Sequence, residues 1–119
     1  MRSATLLLAL LLVAAARAND QPTKPVTPAE AAKKVNEKVV LEMEVKSTGG
    51  KDVSFLNSEE DFKDVKNFTI FIPEAALEKF KKAKVEDPKT FYKGKTVRVT
   101  GTVTLYREKP QIKVEDPPD

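Results

Sequence analysis

The side chains that could do chemistry in this 119-residue chain are carboxylates, lysines, arginines and hydroxyls, because it has no histidine and no cysteine. It therefore has no thiol nucleophile, no disulfide, no imidazole base and none of the usual zinc ligands. A metal-assisted phosphodiesterase would need a carboxylate pair beside arginines. No motif places such a pair near Arg98 or Arg107. The sequence predicts a protein that is not an enzyme and uses no cofactor.

One acidic cluster could in principle hold a cation. Glu59, Glu60, Asp61 and Asp64 lie close together in the chain. They lack the glycine and the ligand spacing of a recognised calcium loop. We interpret this segment as a solvated loop and predict no metal site.

The pattern that favours binding is a set of cations with interspersed aromatic residues. Between residues 93 and 113 the chain has six basic side chains and a single acid, Glu108. Single-stranded nucleic acid is bound by aromatic faces that stack on bases and by cations that follow the backbone. The candidate binding residues are Lys46, Lys51, Phe71, Arg98, Tyr106, Arg107 and Lys109.

Each of these residues also has a purely structural interpretation. Phe71 could belong to a second layer of the core beneath the acidic loop, and Tyr106 could anchor a hairpin. The basic run could be a solvated strand face. Glu42 and Glu44, in the first predicted strand (residues 39–46), would repel phosphate if they faced the same groove.

The N-terminal segment is typical of an export signal. A short positive start precedes an almost wholly apolar run over residues 4–16, and Ala16-Arg17-Ala18 suits a signal peptidase. We predict that residues 1–18 are removed and that the protein is periplasmic or secreted, with no membrane span afterwards. Losing Arg2 and Arg17 leaves 19 basic and 18 acidic side chains, a net charge of +1. That charge argues against tight non-specific nucleic-acid binding.

The mature chain begins with a predicted flexible leader, residues 19–26, which is followed by a well-marked helix start. Thr27, Pro28 and Glu30 have the spacing of a capping box with proline at the first helical position. A short helix is therefore expected to run to about Val35.

Alternating apolar residues predict five strands after that helix. They cover residues 39–46, 53–57, 68–72, 96–106 and 110–114. Between the third and fourth strands, Leu77 and Phe80 lie at helical spacing, and residues 85–92 look like an irregular connection. Gly101 interrupts the apolar series of the long fourth strand, where a bent strand tolerates no side chain.

Five strands with a helix between the third and fourth are typical of the OB-fold. The predicted fold is therefore all-β with accessory helices: a five-stranded Greek-key barrel over residues 27–116, a short N-terminal helix and a tail at residues 117–119. The helix would close one end of the barrel with Leu77 and Phe80.

Several segments resemble small exported bacterial OB-fold domains related to the tRNA-anticodon-binding and single-strand-binding group. The segments are Phe55-Leu56-Asn57, Phe68-Thr69, residues 94–101, Leu105-Tyr106 and residues 109–112. The resemblance implies the fold and a nucleic-acid-binding ancestry, and it carries no catalytic residue. Met43 and Glu108 stand where relatives often have glycine.

These observations lead to two expectations of function. The first is an exported binding module that holds single-stranded nucleic acid or another polyanion weakly. The second is an envelope protein-interaction or stress protein without a nucleic-acid ligand, which the export signal and the near-neutral mature charge favour.

Overall fold

The computed structural model describes residues 24–118, so the predicted signal segment and most of the predicted leader lie outside the described residues. The strands are β1 (Pro25–Val26), β2 (Lys38–Glu44), β3 (Ser47–Gly49), β4 (Ser54–Asn57), β5 (Thr69–Ile72), β6 (Thr96–Tyr106) and β7 (Lys109–Lys113). The helices are α1 (Pro28–Ala31), α2 (Leu77–Lys82) and α3 (Pro88–Tyr92), with a 3-10 turn at Glu74–Ala76 before α2. Within this range, no helix is long and apolar enough to cross a membrane.

The strands form one mixed sheet in the order β1-β2-β6-β7-β5-β4-β3. The predicted five-stranded OB-fold Greek-key barrel is therefore wrong: seven strands are present, and within residues 24–118 no ladder joins the two ends of the sheet. One added strand comes from the predicted leader, whose end at Pro25–Val26 pairs in parallel with Val40 and Leu41.

The other added strand arises because the predicted first strand changes partners in its middle. The Val45 N–H donates to the Lys95 carbonyl oxygen at 2.8 Å, whereas the next N–H, of Lys46, donates to the Asn57 carbonyl oxygen at 2.9 Å. The chain thus leaves β6 and joins β4 within two residues. This change divides one sequence pattern into β2 and β3.

The sheet must be strongly curled. Five strand spacings, about 24 Å in a flat sheet, would separate β2 from β3. The three peptide steps from Glu44 to Ser47 reach at most about 11 Å. The inward faces of the two halves therefore meet around a single core. Its fully buried members include Leu41, Met43, Val45, Leu56, Phe68, Ile70, Ile72, Phe80, Val103 and Ile112.

Gly101 is required by close packing inside this curled sheet. A Cβ built on Gly101 would lie 2.6 Å from the Ile112 Cγ2 methyl. Carbon atoms normally approach to about 3.5–4.0 Å. The prediction that this position tolerates no side chain is confirmed. The reason is the close approach of Ile112, which is fully buried on the neighbouring strand β7.

The capping box predicted at α1 is confirmed. The Thr27 hydroxyl accepts from the Glu30 N–H, and the Glu30 carboxylate accepts from the Thr27 N–H at 2.9 Å. These hydrogen bonds lower the pKa of Glu30. The helix ends at Ala31 and is therefore shorter than predicted, since it was expected to run to about Val35.

Two helical segments separate β5 from β6, where one was predicted. Phe80 of α2 is fully buried, as predicted, and Leu77 packs against the core. The predicted irregular connection contains α3, which Asp87 caps by accepting from the Lys89 N–H. Tyr92 of α3 is buried edge-on against Phe80, with ring centroids 6.4 Å apart, and burial raises its pKa.

Candidate nucleic-acid interface

The outward face of β4, β5 and β7 has a row formed by two aromatic side chains and a cation. Phe55 lies opposite Phe71, and Phe71 lies opposite Lys113. The two rings stack with centroids 5.5 Å apart and planes inclined by 26°. Both rings are half-buried and Lys113 is exposed. Phe71 therefore lies on the face of the sheet opposite to the buried Ile70 and Ile72, where it packs against Phe55.

A polar row lies beside the aromatic row. Asn57 lies opposite Thr69, and Thr69 lies opposite Gln111. Thr104 and Ser47 extend the row on either side. The Thr69 hydroxyl donates to the Asn57 Oδ1 at 3.0 Å and accepts from the Asn67 Nδ2 at 3.0 Å. The two rows form a surface with aromatic faces and fixed polar groups, which we call the β4–β5–β7 face.

Three predicted residues lie at one end of this face, in the β6–β7 hairpin. Tyr106 is 58% exposed and lies opposite Lys109. The Arg107 guanidinium lies 5.3 Å from the Tyr106 ring centroid. From Lys109 to Lys113 the face extends about 13 Å along β7. The structure thus places a third aromatic residue, which is exposed, and two cations beyond the polar row.

Lys51 lies at the opposite end. It is exposed in the turn between β3 and β4, which follows Gly49, the cross-strand neighbour of Phe55. Lys46 is exposed where the chain passes from β2 to β3, with its backbone bonded to Asn57. The β4–β5–β7 face therefore has cations at both ends.

Arg98 is separated from the hairpin end of this face. It lies eight residues before Tyr106 on β6, about 27 Å along the strand. Its guanidinium donates twice to the Glu42 carboxylate, at 2.8 and 3.3 Å. It also lines a cleft of about 370 Å³ with Lys113, Glu115 and Asp116, where positive and negative charges balance. The Glu42 that could have repelled phosphate is thus paired with Arg98 on the β2–β6 side.

The acidic loop adjoins the hairpin end of the face. The Asn67 Oδ1 accepts from the Glu59 N–H at 3.1 Å, and the Ser58 hydroxyl accepts from the Phe68 N–H at 2.9 Å. Because β5 and β7 are parallel, the loop that enters β5 lies level with Lys109. Within residues 24–118, no group of three or more acidic side chains is arranged to hold a metal ion.

The residues that sequence analysis missed are Phe55, Asn57, Thr69 and Gln111. No local signal identified Phe55, because the polar Ser54 is the buried neighbour; the structure shows that Ser54 and Leu56 face inward, so Phe55 and Asn57 lie on the other face of β4. Predicting the polar row required the pairing register of five strands, which no local pattern contains.

No protein-family model and no curated protein matches this chain. Among solved structures, 19 chains match. One, described as an aspartyl-tRNA synthetase from Leishmania major Friedlin, has a TM-score of 0.50 at 15% identity, over 78% of this chain and 20% of that chain. This chain thus spans about a fifth of the synthetase's length. A likeness at this identity shows a shared fold.

Proposed function

We propose that this protein is a binding module that holds single-stranded nucleic acid weakly on the β4–β5–β7 face, without catalysis. The observation that carries the proposal is the stacked pair of Phe55 and Phe71, half-buried on a sheet surface beside Lys113. Exposed aromatic faces bind unpaired bases at about 1–3 kcal/mol per base. The fold likeness to a segment of a tRNA synthetase supports the same choice of ligand.

The arrangement of charge supports weak binding. Lys51, Arg107 and Lys109 could contact phosphates at the two ends of the face, and Lys113 could do so in the aromatic row. The acidic loop adjoins one of these ends and would repel a phosphate chain there. With so few phosphate contacts, affinity would fall only modestly as salt rises, and base stacking would supply much of the binding.

The test is a fluorescence-anisotropy titration of the purified protein with labelled single-stranded DNA and RNA, at low and at physiological salt. Phe71→Leu keeps an apolar side chain but removes the aromatic face. We expect it to weaken binding by about 1–2 kcal/mol, roughly five- to thirtyfold. Phe91→Leu is the matched control, because Phe91 is an exposed aromatic residue on α3. Equal affinities of the two variants would refute the assignment of the face.

Cations give an independent check. Lys109→Ala is expected to weaken binding and to reduce the salt slope by about one. Arg98→Ala should leave both quantities unchanged, because this guanidinium is paired with Glu42 away from the hairpin. An effect of Arg98 as large as that of Lys109 would move the site to the β2–β6 side.

A second candidate function, an envelope protein-interaction role, is favoured by exposed apolar side chains at the hairpin end of the molecule. Phe62 and Val65 of the acidic loop are 59% and 94% exposed, and Leu105 is 53% exposed. Phe62→Ser with Val65→Ser would abolish recovery of a protein partner from the envelope and leave nucleic-acid titrations unchanged. If no partner is recovered with the unmodified protein, this candidate is eliminated.

A further inference from the structure

Hydrogen bonds connect the side chains of the polar row in a chain, and a backbone N–H determines which atom of each pair is the donor. The Glu59 N–H can only donate, and it donates to the Asn67 Oδ1 at 3.1 Å. The Asn67 amide is thereby oriented, so its Nδ2 donates to the Thr69 hydroxyl at 3.0 Å. The Thr69 hydroxyl has one hydrogen, which goes to the Asn57 Oδ1 at 3.0 Å.

This relay determines what Asn57 can offer to a ligand. Its carbonyl oxygen already accepts from Thr69, and its Nδ2 has no hydrogen-bond partner within residues 24–118. Asn57 is only 4% exposed. Since no deeply buried side-chain nitrogen or oxygen of the described residues lacks a partner, this amide nitrogen retains contact with water. A nearly buried residue therefore presents N–H donors, in the same strand as Phe55.

We propose that Asn57 is a specificity residue that favours bases carrying a carbonyl oxygen over adenine. This inference rests on the proposed function. A base stacked on the Phe55–Phe71 pair has its edge beside the neighbouring row, where Asn57 can donate to a carbonyl oxygen. Thymine, uracil, cytosine and guanine each have such an oxygen. Adenine has no exocyclic oxygen: its exocyclic group is an amine, which cannot form a hydrogen bond with the Asn57 donors, so adenine could accept only at its ring nitrogens.

The direct test compares labelled dT12 with dA12 by anisotropy on the unmodified protein and on Asn57→Asp. The unmodified protein should bind dT12 about fivefold more tightly, the contribution of one hydrogen bond. The aspartate still accepts from Thr69 and replaces the amide donor with an acceptor. We expect the ratio of the affinity for dT12 to the affinity for dA12 to fall below one in this variant. Phe71→Leu is the control, because it should weaken both oligonucleotides and leave the ratio unchanged.

A second measurement needs no variant and so does not depend on whether Asn57→Asp folds. A dT12 analogue in which difluorotoluene replaces thymine keeps the base shape and lacks strong acceptors. It should bind the unmodified protein about fivefold more weakly than dT12. Equal binding of dT12 and this analogue, or an unchanged ratio of dT12 to dA12 affinities in folded Asn57→Asp, would overturn the proposed role of Asn57. Neither result would refute the proposed function. Absence of binding to both dT12 and dA12 would refute the proposed function itself.

Discussion

Replacing Gly101 by alanine tests whether the curled sheet depends on the contact between β6 and β7. The new Cβ would lie 2.6 Å from the Ile112 Cγ2 methyl, about 1 Å inside the normal carbon–carbon separation. Ile112 is fully buried, so its side chain cannot move into solvent. Overpacking of this kind costs about 1–3 kcal/mol. Gly101 does not have a positive φ, so alanine also gains about 0.5 kcal/mol from the unfolded state.

The expected net loss for Gly101→Ala is therefore about 1–2 kcal/mol in the free energy of unfolding, measured by urea denaturation. Gly49→Ala is the matched control. Gly49 lies in β3 without a positive φ, and a Cβ there would have no atom within 4 Å. That variant should be neutral or slightly more stable than the original protein.

A double-mutant cycle identifies the clash. Ile112→Leu removes the methyl branch at Cβ while conserving side-chain volume, so it should cost less than about 1.5 kcal/mol alone. Combined with Gly101→Ala, it should recover about 1 kcal/mol through coupling between the two sites. The reasoning fails if Gly101→Ala is as stable as the original protein, or if the two losses simply add.

Three further changes have expected outcomes. Arg107 and Glu108 both have positive φ, 50° and 66°, in the β6–β7 turn; Glu108→Gly should therefore stabilise by about 0.5–1 kcal/mol, seen as a higher Tm, and an unchanged Tm would contradict the strain. Thr27→Ala removes the capping-box hydroxyl and should cost about 1 kcal/mol in urea unfolding, whereas Thr27→Ser should cost little. Burial raises the pKa of Tyr92 above its usual value of 10.0, so its stabilising contribution is complete below pH 10 and is lost as pH rises through the folded-state pKa. Tyr92→Phe should make Tm less dependent on pH in that range, and identical alkaline profiles would argue against the burial effect.

Features encoded within a few residues could be predicted from the sequence. The capping box at Thr27 needs only the spacing to Glu30. The alternation in residues 68–72 places Phe71 opposite in direction to Ile70 and Ile72, and the structure places it on the outward face. The helix α3 had a local signal as well, since Asp87-Pro88 is a typical N-cap and first helical residue.

Features that depend on residues distant in the chain could not be predicted from local sequence patterns. The first strand divides at Val45 because its two partners, β6 and β4, begin 51 and 9 residues later in the chain, at residues 96 and 54. Arg98 was predicted as a phosphate contact, yet an antiparallel register places it opposite Glu42, 56 residues away. Without that register, a paired arginine and a free arginine look the same in the sequence.

The lengths of the two outermost strands restrict the kinds of association open to the described molecule. Within residues 24–118, β1 at one border has two residues, and one of them, Pro25, has no N–H to donate. At the other border, β3 has three residues and ends in Gly49. Strand addition by another chain needs a longer run of unpaired backbone groups. Strand addition at β1 or β3 is therefore disfavoured, and partners that meet these two strands are expected to bind through side chains.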